Sequence, residues 1–228
     1  MKYIIMGLGT FGSSLAQKLT ESGNEVIGVD SEVGKVEALK EKISHTVCLD
    51  CTDQQAVTHL PLKDTDIVIV CIGEDEGANI LATALMKKLK VKRLISRAVS
   101  PLHETVLEAM GVDEIVHPEE ETADRWAKKL ILSGVVDSFE LTGEFSIVEA
   151  AIPKRFVGKT VLEVGFRKNY DVVLLTTIRV AEEKNLIGVK RKVNKVQGVA
   201  SSMTLLNEGD ILVMYGNIKD IERLLKED

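Results

Sequence analysis

The sequence predicts an α/β chain, with a doubly wound parallel sheet followed by a smaller α+β unit. Three observations carry this. Short runs rich in Val and Ile alternate with helical patterns through the first half. The first run leads straight into Gly7-Leu8-Gly9-Thr10-Phe11-Gly12, a glycine spacing that turns a strand into a helix around a phosphate. After His117-Pro118 the alternation stops and hairpin-like signals replace it.

In order, the expected strands of the first half are Tyr3–Met6, Glu25–Val29, Thr46–Leu49, Ile67–Cys71, Arg93–Arg97 and a short Glu114–Val116. Near-continuous apolar runs of this length suit parallel strands covered on both faces. Between them, Phe11–Thr20 places Leu15 and Leu19 on one helical face, and Lys35–Ile43 places Val36, Leu39 and Ile43 together. Asp75–Lys88 carries Ile80, Ala84 and Met86 and ends in lysines, which suit the negative pole of a helix. Pro101 opens a helix that stops at Gly111. Glu119, Glu120 and Glu121 head a further helix with Trp126, Leu130 and Ile131 on one face. Gly134 and Asp137–Glu144 are then expected to be an exit and a connection.

The second unit is expected to begin with a strand, Ser146–Ile152, closed by Pro153. Thr160 should cap a short helix running to Gly165. Val172–Val180 is strand-like, and Ile187–Val189 could pair with it across a polar turn, Glu182–Asn185. Glu208-Gly209-Asp210 is a turn before a strand at Ile211–Tyr215, and a last helix shows Ile218, Ile221, Leu224 and Leu225 on one face. The expected organisation is a nucleotide-binding domain at 1–117, a helix and linker at 118–143, and a smaller domain at 144–228.

Bulk composition narrows the function. In 228 residues, 45% are hydrophobic and 28% charged, the balance of an ordinary globular chain. A net charge of −6 argues against a general nucleic-acid binder. No apolar run approaches the roughly 20 residues that span a bilayer. Met1-Lys2 leads directly into a strand without a signal-peptide pattern. Three cysteines suggest a reducing compartment, so a cytoplasmic location is expected.

The glycine stretch is the first candidate site. Gly7 suits the tight turn, Gly9 a close approach of phosphate, and Gly12 close packing of helix on sheet. Thr10 and Phe11 begin the helix, whose free N–H groups and positive pole favour an anion. Asp30 follows Gly12 by eighteen residues, at the end of the second strand. There a carboxylate accepts from ribose hydroxyls and disfavours a 2′-phosphate. Asp50-Cys51-Thr52-Asp53 follows the third strand, where an adenine would lie, although Thr52 or Asp53 could equally be a helix cap. Ile72-Gly73-Glu74-Asp75 follows the fourth strand at the same edge, with Asp75 a plausible cap.

Other motifs favour plainer readings. Cys48 and Cys51 have CxxC spacing, but Cys48 is expected in a buried strand beside an acid, a poor setting for a thiolate. His45, His59, His103 and His117 show no metal-ligand spacing. The acids at Glu119–Glu121 match a helix dipole, and Glu119 could instead face phosphates through a cation. Lys190-Arg191-Lys192 with Lys195 suits a solvated loop.

Taken together, the ordered set resembles the RCK (KTN) regulators of potassium transport, of the TrkA/KtrA type. The set runs from Gly7–Gly12 through Val29-Asp30, Asp50–Asp53 and Ile72–Asp75 to the segment His103 to Glu119. Ser146–Glu149 and Glu208–Val213 resemble the two ends of that family's C-terminal domain. The resemblance implies a Rossmann domain that binds ATP, ADP, AMP or NAD(H). It also implies a dimer, a ring such as an octamer, and a membrane-embedded potassium transporter gated by nucleotide, so that the protein lies peripheral to the inner face of the membrane. Some family members bind cyclic di-AMP in the C-terminal domain. By that resemblance Gly7, Gly9 and Gly12 hold phosphate, Asp30 the ribose, and Asp50, Cys51 and Thr52 flank adenine, with Ile72, Gly73 and Glu74 nearby. Glu119 lies near the phosphates, as a ligand to a divalent cation. The family commonly has an arginine where this chain has Thr10. Arg97, at the end of the fifth strand, is the basic residue that could partly compensate.

Two functions from different classes follow. One is a non-catalytic, nucleotide-sensing regulatory subunit, supported by the two-unit layout and the lack of an evident catalytic constellation in the second unit. The other is a small NAD-dependent oxidoreductase, which needs an acid or base beside the nicotinamide, with His103 or His117 as candidates.

Overall fold

Alternating strands and helices build the first unit of the chain, Met1–Glu119; the second is Glu120–Asp228. The computed structural model describes residues 1–131, 134–184 and 190–226. In the first unit the strands are β1 (Lys2–Met6), β2 (Glu25–Asp30), β3 (His45–Cys48), β4 (Ile67–Val70), β5 (Leu94–Arg97) and β6 (Glu114–Val116). The helices are α1 (Thr10–Glu21), α2 (Val33–Leu39), α3 (Gln54–Val57), α4 (Glu76–Lys88) and α5 (Pro101–Ala109). All strand pairs are parallel, in the order β3-β2-β1-β4-β5-β6. This is a Rossmann-type doubly wound sheet.

Side-chain alternation explains why both faces are covered. Ile4 and Met6 of β1 and Val68 and Val70 of β4 join Ala82 and Met86 of α4 in one core. Ile5, Ile67 and Ile69 point to the other face, against Ala16 of α1 and Val36 and Leu39 of α2. Local signals set the helix starts. Asp53, not Thr52, caps α3 by accepting from Gln55 N–H at 2.8 Å. Asp75 caps α4 by accepting from Ala78 N–H at 2.9 Å, and Ser100 caps α5 with Pro101 at its first turn.

Helix α6 (Pro118–Ile131) follows, carrying Glu119 and Glu120 in its first turn. The second unit is a five-stranded sheet in the order β10-β9-β11-β8-β7, with every pair antiparallel. Its strands are β7 (Val135–Thr142), β8 (Phe145–Ala151), β9 (Val173–Lys184), β10 (Lys190–Val196) and β11 (Ile211–Asn217). A 3-10 turn at Lys154–Phe156 and helices α7 (Val161–Val164), α8 (Phe166–Tyr170) and α9 (Ile218–Lys226) complete it. Alternate residues of β8 and β11, among them Val148, Ala150, Leu212 and Met214, face a core closed by Phe156, Phe166, Ile221 and Leu224. Thr160 caps α7 in a reciprocal capping box with Glu163.

Four expectations change here. Asp137–Glu144 is not a connection: residues to Thr142 form β7, paired with β8, because Ser138-Phe139-Glu140-Leu141 alternates polar and apolar as a one-sided strand does. The polar turn expected from Glu182 begins later, since Glu182–Lys184 still belong to β9. The basic stretch from Lys190 is strand β10 rather than a loop, held by its ladder to β9. Cys48 is exposed rather than buried, because β3 is the edge strand of its sheet. The strand expected at Ile187–Val189 lies outside the described residues.

Candidate functional site

Strand order reverses between β1 and β4, so the loops after these two strands diverge and leave a crevice at the carboxyl edge of the sheet. Two backbone bonds fix its floor: Gly7 N–H donates to Val29 C=O at 2.8 Å, and Cys71 N–H to Met6 C=O at 2.7 Å. Gly7 has φ +94°, and a Cβ on it would stand 2.9 Å from Ile72 N. A Cβ on Gly12 would reach within 1.9 Å of Gly7 C=O. These glycines let helix α1 press on the loop that precedes it. Gly9 differs, because a Cβ there would meet nothing within 4 Å. Its neighbour is open space.

That space is a cleft of about 380 Å³. Gly7, Gly9, Thr10, Phe11, Asp30, Asp50, Cys51, Thr52, Ile72, Gly73, Glu74, Arg97 and Glu119 all line it. Gly12 does not; it acts beneath, on the turn. The cleft also takes in Ser31, Glu32, Lys35, Cys71, Asp75 and Ala78, which sequence reasoning did not place at a ligand.

Asp30 is buried, and each carboxylate oxygen accepts one backbone N–H: Oδ2 from Leu8 at 2.7 Å and Oδ1 from Glu32 at 2.9 Å. The Asp30 side chain thus ties the glycine loop to the turn after β2, and each oxygen keeps a lone pair for a further donor. Asp50 accepts from both N–H and Oγ1–H of Thr52, at 2.8 and 2.7 Å. Those two bonds hold its carboxyl below the ordinary carboxylate range.

Six carboxylates line the cleft: Asp30, Glu32, Asp50, Glu74, Asp75 and Glu119. Two cations oppose them. Lys35 pairs with Glu32 at 2.7 Å and approaches Glu74 at 3.9 Å. The Glu32 bond is the main reason its pKa is raised; burial works against it, and Asp30 and Glu74 add to it. Arg97 lies across Gly73 and donates from its guanidinium to Glu119. A Cβ on Gly73 would come within 2.3 Å of that guanidinium. Lys35 had a legible position, in the first turn of the helix after Asp30, but nothing in its type marked it as facing a cleft.

His103 is buried against Asn79, and His117 Nε2 lies 3.2 Å from Glu104; neither lines the cleft. Cys51 and Cys71 do line it, but burial pushes both thiols up to about 12, far from a reactive thiolate. Among the described residues no group of three or more His, Cys, Asp or Glu side chains is arranged to hold a metal ion. No described helix is long and apolar enough to cross a membrane.

Residues 3–118, all of the cleft except Glu119, match the TrkA-N domain family. The chain belongs to the TrkA-N family. Within it, this TrkA-N protein is 34% identical over 225 residues to the Ktr system potassium uptake protein C of Bacillus subtilis (strain 168), a likeness that covers 99% of this chain and 96% of that one. It therefore runs through the second unit as well. The fold also superposes on the crystal structure of the GsuK RCK domain with a TM-score of 0.67 at 18% identity, over 99% of this chain and 48% of that chain. A GsuK channel bound to NAD gives 0.65 at 18% identity, over 100% of this chain and 40% of that chain. The TrkA-N protein thus spans about half of each GsuK chain or less.

Proposed function

We propose that this protein is a nucleotide-responsive regulatory subunit of a potassium uptake system and carries out no chemistry of its own. The observation that carries the proposal is the open space over Gly9, bounded by the first turn of α1 on one side and the anchored Asp30 carboxylate on the other. Free N–H groups at a helix start favour phosphate, and the unused lone pairs of Asp30 suit ribose hydroxyls. The full-length likeness to a Ktr potassium uptake protein supplies the physiological setting.

The charge of the cleft narrows the ligand. Six carboxylates against Lys35 and Arg97 oppose a triphosphate, and Thr10 adds no compensating cation. ADP, AMP and NAD(H) fit this balance better than ATP. A divalent cation at Glu119 would share that carboxylate with Arg97.

Helix α6 supports self-association. Leu130 and Ile131 are 77% and 75% exposed beside Trp126, and a second copy is the natural cover for such a face. A dimer that builds a ring on the cytoplasmic side of a transporter would let nucleotide gate it, provided the nucleotide binds two ring shapes unequally.

A thermal-shift panel with ATP, ADP, AMP, NAD, NADH and cyclic di-AMP tests this. The midpoint should rise with RT ln(1 + [L]/Kd), most for ADP, AMP or NAD(H). Solution scattering should change on adding the ligand that binds. No shift with any adenine nucleotide would refute the reading.

A further inference from the structure

Beneath the cleft, four polar side chains are fully buried in an otherwise apolar layer: Asn79, Thr83, Ser96 and His103. Such groups are costly to bury unless each is hydrogen-bonded. Here they converge on one carboxamide. Asn79 Nδ2 donates to the backbone carbonyls of Ile72 at 2.8 Å and Arg97 at 3.1 Å. Its Oδ1 lies 3.0 Å from Ser96 Oγ, 3.3 Å from Thr83 Oγ1 and 3.2 Å from His103 Nε2. Two carbonyls on one side and three donors on the other leave a single orientation for the amide. Since Oδ1 only accepts, Nε2 of His103 carries the proton, and its buried Nδ1 has no partner.

Ladder pairing between β4 and β5 ends at Val70 and Ser96. Past that point one side chain holds both strand ends. They carry the two layers of a stack in the cleft wall: the Gly73 backbone and the Arg97 guanidinium lying on it. The Arg97 Nε is itself buried without a hydrogen bond, so Glu119 and the backbone beneath are what locate this cation. We infer that Asn79 is a positioning residue of the nucleotide site, fixing the Arg97-on-Gly73 stack that meets the ligand's phosphates without touching the ligand itself. The inference rests on the nucleotide reading above.

Calorimetric titration of the full chain with ADP and with adenosine tests it. Asn79→Asp keeps the side-chain shape and an acceptor oxygen but turns a bare oxygen toward two carbonyls. ADP affinity should fall about tenfold or more, and adenosine affinity about threefold or less. In an Arg97→Met chain, which lacks the positioned cation, the same substitution should change ADP affinity about threefold or less. Met86→Ala, a cavity two turns along α4, should lower the melting midpoint while leaving ADP affinity within about twofold. Asn79→Ser serves in the same comparisons if Asn79→Asp does not fold. Equal losses for ADP and adenosine, an undiminished loss in the Arg97→Met chain, or unchanged ADP affinity would each overturn the inference while leaving the nucleotide reading intact. Failure of the unsubstituted chain to bind ADP would overturn the inference, and failure to bind any adenine nucleotide would overturn the reading beneath it as well.

Discussion

In Met1–Glu119 all six strands run parallel, whereas in Glu120–Asp228 the five strands alternate in direction. Direction decides where loops gather. Parallel strands deliver every carboxyl end to one edge, so the turns after β1, β2, β3 and β4 and the last residue of β5, Arg97, all contribute to one cleft. Antiparallel strands send successive turns to opposite ends of the sheet. Burial differs in the same way. The first sheet is covered on both faces. The second has one covered face, and Phe139, Leu141 and Phe145 stand exposed along β7 and β8. The first unit gathers its loops around one cleft, and the second leaves apolar side chains exposed along a sheet face.

Substitutions can break this division or sharpen it. The largest effect is expected from Leu212→Ala, at a fully buried position on β11. It should cost the second unit about 3–5 kcal/mol and leave ADP affinity unchanged. If calorimetry shows ADP binding lost as well, the two units do not behave separately. Gly12→Ala should do the reverse. Its Cβ would collide with the Gly7 carbonyl, costing the first unit on the order of 3 kcal/mol and abolishing nucleotide binding; two resolved transitions in a thermal melt would show which unit moved.

Gly9→Ala separates site from scaffold. The added methyl meets only open space, so stability should stay within about 0.5 kcal/mol. ADP affinity should nevertheless fall about tenfold, near 1.4 kcal/mol. Unchanged affinity would place the phosphate elsewhere.

The smallest effect concerns Asp210, buried in the turn before β11. Burial pushes its carboxyl up, but the Arg179 pair and Asn207 outweigh that and hold it below the ordinary range. A depressed carboxyl contributes stability above its unfolded pKa of about 3.9, and that contribution is lost as pH falls through the folded value. Asp210→Asn should cost about 1–2 kcal/mol at pH 7. The gap from the unsubstituted chain should narrow in acid melts below about pH 4; a gap that persists there would assign the loss to packing.

Much of the first unit was legible because its signals are local. Val- and Ile-rich runs, a glycine turn and an acid at a strand end need no knowledge of the rest of the chain. Strand β7 was hidden for the opposite reason. Asp137 and Glu140 make the segment look like a linker, and only its pairing with β8 shows it to be a strand. Asn79 was equally silent. In sequence it is a polar residue in an alanine-rich helix, and its five partners lie in the turn after β4 and on β5, α4 and α5.

The sequence by itself determined the alternation, the glycine turn and the acid at the end of β2, because each follows from backbone sterics or hydrophobic periodicity within a few residues. Tertiary structure alone decided that Arg97 lies on Gly73 and turns to Glu119, that Lys35 reaches the cleft, and that Cys48 sits on an edge. Each depends on which strands become neighbours. That choice is made by burial summed over the whole sheet, and no short stretch of sequence records it.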